Sequence, residues 1–61
     1  MPEIYVYAVA GRTPEQKKAL CMDITEAVVK HFNAPASAVT VQIVEAAPDS
    51  KAKGGKMFSE M

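Results

Sequence analysis

Apolar residues alternate through MPEIYVYAVA, with Ile4, Val6 and Ala8 on one face and Tyr5, Tyr7 and Val9 on the other. This period of two predicts a strand from Pro2 to Ala10. Both of its faces are apolar, which asks for cover on both sides. Gly11-Arg12 ends the alternation in a turn, and the period then changes. Leu20, Ile24, Ala27, Val28 and His31 recur at spacings of three and four, predicting a helix whose stripe packs on the sheet. Lys18, Glu26 and Lys30 fall largely outside that stripe, and Met22 with Val29 forms a second apolar patch. Thr13-Pro14-Glu15-Gln16 supplies the helix start. Threonine caps, proline suits the first helical position, glutamine closes the capping box and Glu15 meets the positive end of the helix dipole. Asn33 suits a left-handed residue after the last turn, and Pro35 stops the helix from continuing. Ala34 to Ser37 connects to a second strand, Val39 to Glu45, with Val39, Val41 and Ile43 toward the helix and Thr40, Gln42 and Val44 away from it. Strand, helix, strand implies a right-handed parallel crossover. The stretch from Ala46 to Lys56 is small and charged, and Met57-Phe58 restores apolar character in a short tail. The expected fold is α+β, a single βαβ unit with parallel strands occupying residues 1–61 as one domain.

Size changes this picture by adding a partner. A chain of 61 residues buries only about 60% of the surface it exposes when unfolded. Small domains compensate with disulfides, metals or association, and one cysteine and one histidine offer neither of the first two. Association is left, so oligomerisation is expected to complete the fold. Seven basic and seven acidic residues cancel, leaving no long-range field for nucleic acid or an anionic membrane. No apolar run approaches the ~20 residues that span a bilayer. A cytoplasmic protein is expected, and a lone Cys21 fits a reducing compartment.

Candidate chemistry is sparse. No Ser/His/Asp arrangement, metal-ligand spacing or phosphate-cradling glycine loop is present, and Gly54-Gly55 is too short to count as one. His31 lies near the helix C-terminus, where the dipole favours its charged form, and Cys21 reads as a small hydrophobe beside the core stripe. Pro2 and Arg12 remain. Proline suits the first position of a strand because its φ is fixed and its missing N–H does least harm there. Removal of Met1 would also turn its ring nitrogen into a secondary amine, a base that no side chain provides.

Proline after methionine, the short apolar strand, GRTPEQKKAL at the strand-to-helix turn, NAPASAVTVQIVE into the second strand and the late Gly-Gly form an ordered set over nearly the whole chain. The set resembles the 4-oxalocrotonate tautomerase family. That resemblance implies βαβ protomers assembled as homo-oligomers, hexamers built as trimers of dimers, with an amino-terminal proline as catalyst and no cofactor. It assigns Pro2 the general acid/base role in moving a proton between enol or dienol and keto forms of small 2-keto acids. Arg12 takes the carboxylate-binding position and reaches a proline on a neighbouring subunit. Thr40 stands where the family has a second arginine serving the carbonyl end of the substrate, and Lys51 stands in place of its aromatic wall. Lys53 occupies a position that is usually apolar. Lys51 or Lys53 is the candidate replacement cation, and an altered substrate preference is expected. Two alternatives accompany this reading. Some relatives use the same proline to hydrate, dehalogenate or decarboxylate unsaturated acids with the help of an added acid, a role for which Glu3 and Glu45 are poorly placed. The other is an oligomeric relative without catalysis.

Overall fold

The computed structural model describes residues 1–61. Strand β1 (Glu3–Val9) leads into helix α1 (Pro14–Phe32) and strand β2 (Thr40–Ala46), followed by a hairpin of β3 (Ala52–Lys53) and β4 (Lys56–Met57). Short 3₁₀ turns occupy Ala36–Ala38, Pro48–Ser50 and Phe58–Glu60. β1 and β2 pair in parallel, from Glu3 opposite Thr40 to Val9 opposite Ala46. The ladder continues past β1, because the Ala10 N–H donates to the Ala46 carbonyl at 2.9 Å.

The start of α1 is held as the sequence predicts. The Gln16 N–H donates to the Thr13 hydroxyl at 3.2 Å, and the Thr13 N–H donates to the Gln16 side-chain carbonyl at 3.0 Å. Two helix-end donors that would otherwise lack partners are satisfied reciprocally. Asn33 ends the helix at φ 55°, the left-handed conformation that asparagine tolerates. Thr13→Ala should lower unfolding stability by about 1 kcal/mol. A urea midpoint measured at fixed protein concentration tests this, since any association also contributes to apparent stability.

Register puts Ile4, Val6 and Ala8 beside Val41, Ile43 and Glu45 on the helix side. The helix lies mainly over β2. Its half-buried side chains are therefore Lys17, Cys21, Ile24, Thr25, Val28 and Val29, whereas Leu20, Ala27 and His31 stay exposed. The inward face is thus turned away from the Leu20-Ala27-His31 part of the predicted stripe. Leu20 instead looks over β1, where it meets Val6 and Ala8 across an open cleft.

The opposite side of the sheet has no cover. Tyr5 is 48% exposed and Tyr7 73%. The Tyr5 hydroxyl donates to the Glu3 carboxylate at 3.2 Å, and this hydrogen bond, followed by Glu3's negative charge, raises the phenol's pKa. No residue of the single chain is buried, and its accessible surface is 4697 Å². A compact monomer of this mass would expose about 3,900 Å². The radius of gyration, 14.4 Å, likewise exceeds the roughly 10.5 Å expected of a compact chain this long. One helix on two strands leaves the Tyr5–Tyr7 face of the sheet bare.

The C-terminal segment is more ordered than a plain tail. Gly54 (φ 61°) and Gly55 (φ 84°) make the two-residue turn between β3 and β4. Positive φ at both central positions is what a tight hairpin of this kind requires, and glycine supplies it without strain. The Phe58 N–H donates to the Lys51 carbonyl at 2.8 Å, so the chain folds back on its own loop. No helix is long and apolar enough to cross a membrane.

Candidate active site

Pro2 sits immediately before β1 and is half-buried, while Met1 ahead of it is 96% exposed. The Thr40 N–H donates to the Pro2 carbonyl at 3.0 Å. This bond joins the first residue of β2 to the residue before β1, so the parallel register brings Pro2 and Thr40 together within one chain. Thr40 shares the uncovered sheet face with Gln42 and Val44 by register. Glu3 follows Pro2 directly, but its carboxylate is engaged by Tyr5.

Arg12 lies beyond the other end of β1. Seven strand residues at about 3.3 Å each separate the two ends by roughly 23 Å. One arginine side chain does not span that distance. Arg12 therefore does not share a site with the Pro2 of its own chain.

Around Arg12 the fold makes a cleft of about 290 Å³ between α1 and the β1 side of the sheet. Val6, Ala8 and Ile43 form its floor and Leu20 one wall. Arg12, Lys17 and Glu45 contribute the charges. Lys17 Nζ and Glu45 Oε1 are 2.9 Å apart, with about a third of each side chain exposed. Arg12 is exposed and makes no ion pair or side-chain hydrogen bond. An unpaired guanidinium beside an apolar floor suits a small carboxylate, because the fork pairs with the acid in a bidentate manner while the floor excludes water from the rest.

The Lys17–Glu45 pair is the feature that sequence reading missed. Its signal lay in the alternation Val41, Ile43, Glu45, which places a carboxylate on the helix-facing side. A charge on such a face needs a partner.

Lys51 belongs to a third region. Its ammonium lies 5.5 Å from the centre of the Phe58 ring, close enough for a cation–π contact. Lys53 is exposed at the hairpin, paired with Lys56 in register. Within one chain, Pro2 and Thr40 form one group, Arg12 lies at the cleft, and Lys51 sits on the hairpin. His31 is exposed in the last helical turn. Cys21 is half-buried, and its carbonyl accepts the Thr25 hydroxyl at 2.7 Å.

Residues 2–61 match the family model described as Tautomerase enzyme. The chain belongs to the tautomerase family. This tautomerase-family chain is 52% identical over 60 residues to a probable tautomerase of Bradyrhizobium diazoefficiens, an alignment covering 98% of this chain and 90% of that one. Its fold superimposes on the crystal structure of a 4-oxalocrotonate tautomerase homologue with a TM-score of 0.94 at 33% identity, covering 100% of this chain and 97% of that one. A heterohexamer 4-oxalocrotonate tautomerase from Chloroflexus aurantiacus gives a TM-score of 0.91 at 28% identity, covering 100% and 98%. The α+β fold with parallel β1 and β2 and short C-terminal strands is that of these tautomerase homologues.

Proposed function

We propose that this tautomerase-family protein interconverts enol or dienol and keto forms of small 2-keto acids, with Pro2 as general acid and base once Met1 has been removed. The observation that carries the reading is the family match over residues 2–61, which begins at Pro2. A secondary amine is protonated in water near neutral pH, but desolvation and neighbouring cations both disfavour its charged form. The free ring nitrogen then takes the proton from the enol oxygen and, as the ammonium, returns it to a carbon of the conjugated chain. A single group serves both steps when its surroundings bring its pKa near working pH. Arg12 holds the substrate carboxylate and favours the negative charge that develops during transfer.

The separation of Pro2 from Arg12 supports a site shared between chains, in which Arg12 of one subunit serves Pro2 of another. The uncovered sheet face and the absence of any buried residue support association, and the heterohexameric relative supports a six-subunit assembly, which for a single kind of chain is proposed as a homohexamer built as a trimer of dimers. Thr40 beside Pro2 offers a hydroxyl but no charge, so electrophilic help at the substrate carbonyl is weakened unless another cation, Lys51 or Lys53 of the assembly, takes it over. Tautomerisation is favoured over hydration or dehalogenation because the acid nearest Pro2, Glu3, is bonded to Tyr5, and Glu45 is bonded to Lys17.

The test is ketonisation of mono- and dicarboxylate enol acids by protein whose intact mass shows the terminal methionine absent. The same protein with methionine retained is the control. Its Pro2 nitrogen is a tertiary amide without basicity. Activity confined to the processed form is expected; equal activity in both forms refutes a prolyl base.

A further inference from the structure

The cleft beside Arg12 holds two cations and one carboxylate. Glu45 sits opposite Ala8 in the strand register, two positions before the end of the β1 ladder that runs on toward Arg12. Lys17 reaches it from the first turns of α1 at 2.9 Å. That turn of α1 is itself fixed, since the Lys17 N–H donates to the Thr13 carbonyl at 3.1 Å and Thr13 is locked in its reciprocal bonds with Gln16. Lys17 is thus presented to Glu45 by a rigid helix start, while Arg12 projects from the turn just before it without a partner.

Resting on the carboxylate-binding role proposed for Arg12, we infer that Lys17 is a positioning residue that occupies Glu45 and thereby keeps the Arg12 guanidinium free for substrate. Without Lys17, Glu45 would be an uncompensated carboxylate on the wall of a partly apolar cleft, and the remaining cation of that cleft is Arg12. A guanidinium is the better match for a carboxylate, because it offers two parallel N–H donors where an ammonium is a point charge. Glu45 would then compete with the substrate's carboxylate for the same fork. The two basic residues divide the work by geometry: lysine, on the rigid helix, neutralises the resident acid, and arginine, on the turn, is left for an incoming one.

Arg12 is the only arginine in the chain, so its availability is read directly by the rate of phenylglyoxal modification, followed by intact mass on the full-length assembled protein. Lys17→Met should slow that modification about fivefold, the scale of one partly exposed ion pair. It should also raise KM for a carboxylate substrate by a similar factor while leaving kcat within about twofold. Lys17→Met/Glu45→Gln should restore both, because it removes the competitor, and Glu45→Gln alone should modify at least as fast as the parent. Unchanged modification in Lys17→Met overturns the inference, and so does slowing that the double variant fails to relieve, which would assign Lys17 a purely structural part. Failure of the underlying function reads differently: Arg12→Ala would then keep its affinity for carboxylates whatever the labelling of the Lys17 variants shows.

Discussion

Replacing Pro2 with alanine should reduce kcat for ketonisation by about 10²-fold or more, the usual contribution of a positioned acid/base group. Alanine leaves a terminal amine in place, so the substitution tests what the ring adds. Proline's φ is fixed near −65°, and here its carbonyl is tied to the Thr40 N–H at 3.0 Å. Nitrogen and lone pair are therefore held at one edge of the sheet. An alanine amine would rotate about the bond that proline locks, lose alignment with the reacting oxygen and carbon, and order more water. Alignment of this kind is a large part of what a catalytic group contributes. The pH profile provides a second reading with a definite sign. The nitrogen works as a base only when unprotonated, so kcat/KM of the parent should climb with rising pH through the pKa of the prolyl amine. That limb should disappear when methionine is retained. The measurement is steady-state ketonisation from acid to mild alkali, with intact masses confirming each terminus. A Pro2→Ala protein with parental kcat and an unchanged limb would remove proline from the mechanism.

Much of the fold was legible in the sequence because local rules act within single elements. The predicted strands, Pro2 to Ala10 and Val39 to Glu45, differ from the observed Glu3–Val9 and Thr40–Ala46 only at their ends. The capping box and the left-handed Asn33 are present as read, since both depend on neighbouring residues alone. Three features were missed, each for a physical reason. The hairpin around Gly54-Gly55 has strands of two residues, too short to show a period. The rotation of the helix face toward Cys21, Thr25 and Val29 depends on the helix lying over β2, a tertiary fact that a helical stripe does not encode. The Lys17–Glu45 pair joins residues 28 apart, and a search for apolar periodicity passes over charges.

The candidate site was legible as residue types and not as a juxtaposition. The family resemblance assigns roles to Pro2, Arg12, Thr40 and Lys51, yet one chain brings only Pro2 and Thr40 together. Arg12 is carried away by the length of β1, and Lys51 is held by the Phe58 ring on the hairpin. No pattern along a single sequence states which of its surfaces meets which in another copy. In the single chain the side of the sheet carrying Tyr5 and Tyr7 is uncovered.

Arg12→Ala should lower kcat/KM for carboxylate substrates by about 30- to 150-fold, corresponding to roughly 2–3 kcal/mol for a charge-assisted, bidentate contact. Arg12→Lys should recover only a small part of this, because the charge returns without the planar fork. Stability should change little, since the Arg12 side chain is exposed and unpaired in the chain. The roughly 23 Å between the ends of β1 gives this variant a second and sharper use. If Arg12 serves the proline of another subunit, neither Pro2→Ala nor Arg12→Ala protein contains an intact site, but a mixed assembly does. A subunit with Arg12→Ala supplies a good proline, and its neighbour with Pro2→Ala supplies a good arginine. Random mixing in equal amounts should then restore on the order of a quarter of the parental activity, as each shared site draws its two halves independently from the pool. The experiment is co-refolding of the two inactive proteins followed by the ketonisation assay, with each variant refolded alone as the baseline. Activity that stays at the baseline after subunits have demonstrably exchanged would place both groups in one chain's site, which the length of β1 does not allow, or would remove one of them from catalysis.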